Sequence, residues 1–309
     1  MKNKVSIVGA GMVGSTLAYS LVVQDIAEEV ALIDVNKKLA KAQVMDLQHG
    51  APFTRNTNVK VGTYNDCKDS DVVVITCGAA QKPGETRLDL IGKNTKIIKE
   101  IVPQIFKANP QAVILMITNP VDVLTYVAIS MFPKKQKQII GSGTTLDSAR
   151  LRHLLSEKLD INTQSIHAYI MGEHGDSEFP VWSTASVGNV SLDTYKHLSE
   201  QDKKDLFFKA KNAAYAIISG KQSTYYGIGS AGAYIISSIL HDKRTVLSVS
   251  HLINNIYGVK DVCLSTPVIV GKGGIVGELP LQLSKLEKAN FIKSAKVIKQ
   301  AIKSIAKLK

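Results

Sequence analysis

Residues 5–34, VSIVGAGMVGSTLAYSLVVQDIAEEVALID, decide the fold. An apolar run at 5–8 leads into a glycine-rich turn, a helical pattern follows over about 12–24, and a second apolar run occupies 30–33. This order of strand, glycine turn, helix and strand is typical of a dinucleotide-binding βαβ unit. The stretch therefore predicts the beginning of a Rossmann-type domain.

The glycine turn, GAGMVG at 9–14, carries the expected phosphate-binding chemistry. Gly9 permits the tight turn, Gly11 lets the backbone approach a pyrophosphate, and Gly14 allows close packing of helix on strand. The helix start at Met12 and Val13 offers free N–H groups and a positive dipole end to the phosphates. A glycine-rich turn can also be purely structural, so the acid that follows is needed for the assignment.

That acid is Asp34, at the end of the second strand and 20 residues after Gly14 (34 − 14 = 20). A carboxylate at this position accepts hydrogen bonds from ribose hydroxyls and repels a 2′-phosphate. We therefore predict NAD, rather than NADP, as the cofactor.

The basic composition invites a different interpretation. Among 309 residues there are 38 Lys+Arg and 26 Asp+Glu, a formal net charge of +12, which raises nucleic acid or an anionic membrane as partners. The densest lysines, however, accompany apolar residues at helical spacing over 285–307, so they form the solvated face of an amphipathic helix. We expect neither nucleic acid nor a membrane as a partner.

Three other features limit the class of protein. Lys2 and Lys4 before the uncharged 5–24 superficially resemble a secretory signal, but the strand–turn–helix pattern explains that stretch better. The uncharged run 222–240 contains several glycines and serines and indicates a buried helix rather than a membrane span. Three scattered cysteines exclude a disulfide framework and a metal knuckle, so we expect a cytoplasmic protein without bound metal.

Short β-branched runs alternate with helical patterns through the first half of the chain, which is typical of a parallel sheet covered by helices on both faces. The second half mixes helices and strands less regularly. We predict an α/β protein in which a Rossmann-type, doubly wound parallel sheet (1–141) binds NAD. A mixed α+β domain (142–309) then carries the catalytic and substrate site.

Candidate catalytic residues follow the predicted strands. Asn119 ends one strand, and strand ends of such sheets line the ligand crevice, although Asn-Pro is also a common turn former. His174 lies between Gly172-Glu173 and Gly175-Asp176 and is the best candidate for a proton carrier, with an ordinary polar turn as the alternative.

Two further segments have both a functional and an ordinary interpretation. Asp147 and Arg150 share one face of a predicted helix, either as a surface ion pair or as part of a carboxylate-binding site. Residues 78–89 form a polar Gly- and Pro-containing segment, either a simple connection or a lid that delivers Arg87.

Taken together, the motifs resemble the L-lactate and malate dehydrogenase family, in particular its bacterial L-lactate dehydrogenases. The resemblance covers essentially the whole chain. It is carried, in the family's order, by GAGMVG (9–14), QKPGETRLDL (81–90), NPVD (119–122), GSGTTLDSARLR (141–152), HAYIMGEHGDSEFPVWS (167–183) and STYYGIG (223–229).

The resemblance implies a role for each candidate. His174 donates a proton to the pyruvate carbonyl during reduction by NADH, and Asp147 orients its ring. Arg150 clamps the substrate carboxylate, and Arg87 polarises the carbonyl. By the same resemblance Asn119 assists at the nicotinamide and the carbonyl, Gly78 contacts the cofactor, and Thr224 and Ile228 line the substrate pocket.

Substrate choice depends on Gln81, where the malate enzymes have an arginine that pairs the second carboxylate of oxaloacetate. A neutral side chain leaves that carboxylate unpaired, so we expect pyruvate and L-lactate as the substrate pair. The alternatives are a dehydrogenase of malate or of a bulkier 2-hydroxy acid and, from another class, a nucleotide-binding interaction protein with a basic surface.

The resemblance also suggests regulation and assembly. Arg152 and His167 match positions that bind fructose 1,6-bisphosphate in allosteric members, and Arg152 is expected to point away from Arg150. Similar residues also occur in unregulated members, so regulation by the bisphosphate stays open. A homotetramer is expected.

Overall fold

The computed structural model describes residues 3–55, 57–79 and 87–306, without the side chains of Arg87 and Ala306. The strands are β1 (Lys4–Val8), β2 (Glu29–Ile33), β3 (Asn58–Val61), β4 (Val72–Ile75), β5 (Val113–Met116), β6 (Ile139–Gly141), β7 (Ile166–Met171), β8 (Phe179–Val187), β9 (Val190–Ser191), β10 (Thr245–Leu252), β11 (Cys263–Gly271) and β12 (Gly274–Glu278). The helices are α1 (Met12–Val23), α2 (Lys37–His49), α3 (Arg87–Ala108), α4 (Val121–Met131), α5 (Thr145–Leu159), α6 (Leu192–Tyr195), α7 (Glu200–Lys221), α8 (Tyr226–Leu240) and α9 (Lys285–Ala306).

The large sheet of the described chain has the order β12-β11-β10-β6-β5-β4-β1-β2-β3. All neighbours from β6 to β3 are parallel, which confirms the predicted doubly wound parallel sheet. Strand order reverses between β1 and β4, and ligands of open α/β sheets bind in the crevice at such a switch point.

The parallel strands are buried on both faces because helices cover both. Along β4, Val72 and Val74 belong to one core cluster, whereas Val73 and Ile75 belong to the cluster on the opposite face. This alternation explains why the strands are continuous β-branched runs without a polar face.

The second half of the chain extends the first sheet as well as forming its own. Strands β10, β11 and β12 are antiparallel and join the edge at β6, where Ser250 pairs with Gly141. Strands β7, β8 and β9 form a separate antiparallel sheet. The mixed α+β character of this half is therefore confirmed, although one sheet runs through both halves of the chain.

Helix α9 has the predicted amphipathic form with two exceptions. Phe291, Ala295 and Ile298 are buried, and most of the lysines are exposed. Leu286 and Ile292, two of the apolar residues of this predicted helix, are instead 71% and 37% exposed. None of the helices in the described ranges combines the length and apolar character needed to cross a membrane.

Candidate active site

The glycine turn between β1 and α1 has the geometry needed for close contact with a ligand. Gly9 has a φ of +116°, and a Cβ at Gly14 would lie 1.9 Å from the carbonyl oxygen of Gly9. Around Gly11, by contrast, a Cβ would meet nothing within 4 Å. Gly11 is also the N-cap of α1 and provides no side-chain cap, so the first N–H groups of this helix remain available to an anion. Met12 in the first turn is 55% exposed and Val13 is half-buried.

Asp34 lies beside this turn. Its Oδ2 accepts a hydrogen bond from the N–H of Ala10 (2.7 Å), and its Oδ1 accepts one from the N–H of Asn36 (2.8 Å). Each carboxylate oxygen keeps a further lone pair, which a ribose hydroxyl can use. The open Gly11, the uncapped helix and this carboxylate fit a dinucleotide without a 2′-phosphate.

The other side of the crevice is formed where β4 and β5 end. Asn94 of α3, only 2% exposed, accepts from the N–H of Ala79 (2.8 Å) and donates to the carbonyl of Asn119 (2.9 Å). A Cβ at Gly78 would lie 2.6 Å from Thr118 Cγ2, so Gly78 and Asn119 occupy neighbouring positions. Sequence reasoning missed Asn94, which ties these two segments together.

A single buried carboxylate joins the predicted catalytic residues. Asp147, in the first turn of α5, is 2% exposed. Its Oδ2 lies 2.6 Å from His174 Nδ1, and its Oδ1 accepts from Arg150 Nη1 at 2.8 Å. The prediction that Asp147 and Arg150 share a helix face is confirmed. The pair also extends to an imidazole 27 positions further along the chain.

A second carboxylate fixes the backbone of the histidine. The N–H of His174 donates to Asp122 Oδ2 (2.7 Å), and the hydroxyl of Ser250 donates to Asp122 Oδ1 (2.6 Å). Asp122 stands in the first turn of α4, a helix that the sequence analysis did not predict. Asp122 was quoted within NPVD without a role, and no pattern pointed to Ser250.

The electrostatics of this cluster favour an ionised pair. Burial opposes the charged imidazole, but the charge and hydrogen bond of Asp147 raise the pKa of His174 to about 9. Burial likewise opposes ionisation of Asp147, yet His174 and Arg150 hold the pKa of Asp147 below its usual value. Desolvation raises the pKa of Asp122 to about 6 despite its hydrogen bonds. The imidazole therefore carries a proton at neutral pH and can donate it.

Helix α8 brings the predicted pocket residues to the same region. A Cβ at Gly227 would lie 3.1 Å from Leu146 of α5, and a Cβ at Gly229 would lie 2.8 Å from Thr16 of α1. Ile228 lies between these two glycines, Thr224 precedes the helix by two residues, and both side chains are half-buried.

Two of the predicted site groups lie outside the described part of the chain, namely Gln81 and the side chain of Arg87. Arg87 itself begins α3, so the segment that we predicted to be loop through 89 is helical from Arg87 onwards.

Arg152 lies near Tyr169 of β7, the strand that also carries His167. His167 is exposed on β7, and two residues on, Tyr169 occupies the same face of the strand. Burial raises the pKa of Tyr169, and the nearby positive charge of Arg152 opposes the rise. Arg150, in contrast, turns to Asp147.

Comparison with known proteins agrees with this geometry. Residues 3–141 match the NAD-binding domain of lactate/malate dehydrogenase, and residues 144–309 match the α/β C-terminal domain of lactate/malate dehydrogenase. An L-lactate dehydrogenase of Clostridium botulinum is 46% identical over 306 residues, covering 97% of this chain and 96% of the relative. One from Clostridium perfringens is 45% identical over 304 residues, covering 96% and 95%.

Solved structures give the same result. The lactate dehydrogenase MGS-M5 from a Medee basin deep-sea metagenome library has a TM-score of 0.95 and 40% identity, covering 99% of this chain and 100% of that one. The minor L-lactate dehydrogenase of Enterococcus mundtii has a TM-score of 0.95 and 39% identity, covering 98% of each chain. The two domain matches, the relatives and the site together show that this chain belongs to the lactate/malate dehydrogenase family.

Proposed function

We propose that the protein is an NAD-dependent L-lactate dehydrogenase that interconverts pyruvate and L-lactate. The observation that carries the proposal is the single buried carboxylate of Asp147, which holds both the His174 imidazole and the Arg150 guanidinium. Reduction of a small 2-oxo acid requires a proton donor for its carbonyl oxygen and a cation that binds its carboxylate. Asp147 holds both groups. We assign cofactor binding to residues 1–141 and catalysis chiefly to 142–309.

His174 serves as the general acid of pyruvate reduction. Asp147 occupies Nδ1, which leaves Nε2 as the atom that gives its proton to the carbonyl oxygen and takes it back from lactate. Asp122 and Ser250 hold the backbone of the histidine, so the ring keeps its place as it loses its charge. When bound, NADH supplies the hydride that reduces the carbonyl carbon.

Arg150 binds the substrate carboxylate. Its bond to Asp147 uses one of the five N–H donors of the guanidinium, and the others suit a bidentate contact with a carboxylate. Arg87 would stabilise the charge that develops on the carbonyl oxygen, and closure over the crevice would exclude water. We assign Thr224 and Ile228 to the pocket wall and Asn119 to the junction of nicotinamide and carbonyl.

Cofactor binding falls to residues on both sides of the crevice. Gly9, Gly11, Met12, Val13 and Gly14 present the start of α1 to the pyrophosphate. The assignment of the ribose hydroxyls to Asp34 is supported by its remaining lone pairs. Gly78 and Asn119 complete the opposite wall.

The function is tested by comparing pyruvate with oxaloacetate at fixed NADH. We expect kcat/KM for pyruvate to exceed that for oxaloacetate by about 10²-fold or more, because a second carboxylate in a closed pocket without a cation costs a few kcal/mol. Gln81→Arg supplies that cation and should move the preference towards oxaloacetate by at least about 10-fold.

A matched control is Gln104→Arg, which adds the same charge on the exposed face of α3. We expect it to leave the ratio of the two substrates unchanged. Equal kcat/KM values for pyruvate and oxaloacetate in the unaltered protein would contradict the proposed substrate, whereas no oxidation of NADH with either would contradict the proposed reaction.

We further infer that Arg152 and His167 contribute to an anion site for fructose 1,6-bisphosphate. The inference is supported by the closeness of Arg152 to Tyr169, which lies on the same strand as His167, and by the bond of Arg150 to Asp147 instead. Guanidinium and imidazole are suitable phosphate ligands. Regulation requires that the sugar bisphosphate bind the active state more tightly than the inactive one.

The bisphosphate should lower the KM for pyruvate severalfold, within the about 5- to 150-fold range of typical allosteric coupling. Arg152→Gln should abolish this response, while His153→Gln, an exposed neighbour on the same helix, should retain it. A KM for pyruvate that ignores the bisphosphate in the unaltered protein would reject regulation at this site.

A homotetramer in the cytoplasm is the remaining part of the proposal. Large exposed apolar side chains on α1, α2 and α8 support association, since such groups are disfavoured on a monomer's surface when they cluster; they are Tyr19, Val23, Met45, Tyr226 and Tyr234. Cys67, Cys77 and Cys263 are all free thiols, which suits a reducing compartment.

A further inference from the structure

A third carboxyl group, that of Glu178, faces the Asp147–His174 pair. One of its oxygens lies within 4.8 Å of both a carboxylate oxygen of Asp147 and a ring nitrogen of His174. The residue is only 6% exposed. The N–H of Glu178 bonds to the carbonyl of Gly175 (3.1 Å), and this turn folds the chain back so that the side chain returns to the histidine.

Charged groups from three elements surround this carboxyl. From α5 it faces Asp147 and Arg150, from its own loop His174, and from α7 Lys211. Lys211 also donates to the carbonyl of Asp176 (2.6 Å), which keeps the lysine beside the loop. Two more acids, Asp122 of α4 and Glu173 of the loop, complete the set around the histidine and its backbone.

The balance of these groups sets the state of Glu178. Burial first and the negative charge of Asp147 second raise the pKa of Glu178 to about 8, although His174, Lys211 and Arg150 lower it. Its carboxyl is therefore neutral at neutral pH and ionises in mildly alkaline solution. Once ionised, it adds a further negative charge beside the imidazole and favours the protonated ring.

The ionisation state of Glu178 decides the net formal charge of the site. With Asp147 and Asp122 ionised and His174 and Arg150 protonated, the cluster is neutral before any substrate carboxylate arrives. An ionised Glu178 makes the sum −1, whereas a neutral Glu178 leaves the site free of a surplus negative charge when an anion binds.

We propose that Glu178 is a positioning residue for the proton of His174. Its carboxyl group is neutral when the site receives an anionic substrate. Once ionised, this carboxylate keeps the imidazole protonated in alkaline solution. The proposal rests on the role of His174 in the proposed function. In this proposal the carboxyl group of Glu178 does not touch the substrate and acts only through His174.

The test measures His174 directly rather than through turnover. Diethyl pyrocarbonate acylates only the unprotonated imidazole, and mass spectrometry of the peptide that contains His174 follows its modification from pH 6 to 9.5. In Glu178→Gln we expect the apparent pKa of this reaction to fall by about one pH unit, the size of a single charge interaction at this distance in a partly solvated site. Near pH 7, where Glu178 is already neutral, the two rates of modification should agree.

Two variants make the comparison specific. Glu200→Gln removes an exposed carboxylate at the start of α7 and should leave the His174 profile unchanged. Glu178→Asp keeps an ionisable carboxyl, so the apparent pKa of His174 modification should lie between those of Glu178→Gln and the unaltered protein. If Glu178→Gln and the unaltered protein share one profile, the proposal is wrong, even when His174 proves essential for turnover.

A second measurement does not depend on the folding of any variant. In the unaltered protein the infrared carbonyl stretch of a protonated carboxylic acid should be present at pH 7 and disappear by about pH 9. Absence of such a band at pH 7 would overturn the proposal. If instead His174 is dispensable for pyruvate reduction, the proposed function fails while both of these measurements stay interpretable.

Discussion

Replacing His174 with Gln should lower kcat/KM for pyruvate by about 10²- to 10⁴-fold, the contribution expected of a positioned general acid. Glutamine keeps a polar group of similar reach but cannot transfer a proton at neutral pH. The fold should be retained, because the backbone N–H that bonds to Asp122 is unchanged. Steady-state oxidation of NADH at pH 7 measures the effect, and NADH binding followed by fluorescence shows that the cofactor site is intact.

His153→Gln is the matched control, since His153 is an exposed histidine of α5 that pairs only with the exposed Glu157 within the described residues. It should behave as the unaltered protein. A His174→Gln variant with a kcat/KM within threefold of the unaltered protein would contradict the assigned role.

Asp147→Asn should produce the second large loss, again about 10²- to 10⁴-fold in kcat/KM for pyruvate. Two contacts fail together, because the same carboxylate accepts from His174 and from Arg150. Without this negative charge, the pKa of His174 should fall from its raised value, because burial opposes the charged imidazole and only the weaker charge effects of Asp122 and Glu178 still raise the pKa.

The direction of the pH effect follows from the reaction. Pyruvate reduction requires the protonated imidazole, so its kcat/KM is sustained at neutral pH and falls as the pH rises through the raised pKa of His174. Lactate oxidation requires the neutral ring and rises over the same range. In Asp147→Asn the alkaline limb of pyruvate reduction should move to lower pH, as a full pH profile of kcat/KM would show.

Asp160→Asn provides the comparison, because Asp160 ends the same helix, is exposed and has a left-handed backbone (φ 54°) that asparagine also accepts. Its pH profile should match that of the unaltered protein. An unmoved alkaline limb in Asp147→Asn would mean that this carboxylate does not set the protonation of His174.

Local sequence patterns predict the parts of the molecule that depend on neighbours along the chain. Spacing by three places Asp147 and Arg150 on one helix face, and the two side chains bond. The glycine turn between β1 and α1, followed by Asp34, likewise lies within one continuous supersecondary unit. Such features depend on residues that are close together in the sequence.

Contacts between distant segments leave no such pattern. Ser250 bonds to Asp122 across 128 positions, and Asp122 in turn holds a histidine 52 positions away. Asn94, too, lies within α3 and bonds to the backbone of Ala79 and of Asn119, 15 and 25 positions away. Periodicity identifies faces of elements, but it does not specify which face meets which.

The sheet gives a further example. Strand β6 has only three residues, too few for a recognisable alternation, and it is the strand on which β10 pairs. The predicted boundary between 141 and 142 therefore falls at the end of a strand to which β10 of the second half is hydrogen-bonded. The hydrogen bonding between β6 and β10 is set by tertiary packing, which a boundary drawn along the sequence does not describe.

The most direct test is a crystal structure of the protein with NADH and oxamate, an unreactive analogue of pyruvate. The oxamate carboxylate should bind Arg150 through two N–H groups, its amide carbonyl should lie within hydrogen-bonding distance of His174 Nε2, and Asp147 should remain on Nδ1. Oxamate bound elsewhere, or a His174 ring turned away from it and from Asp147, would contradict the mechanism.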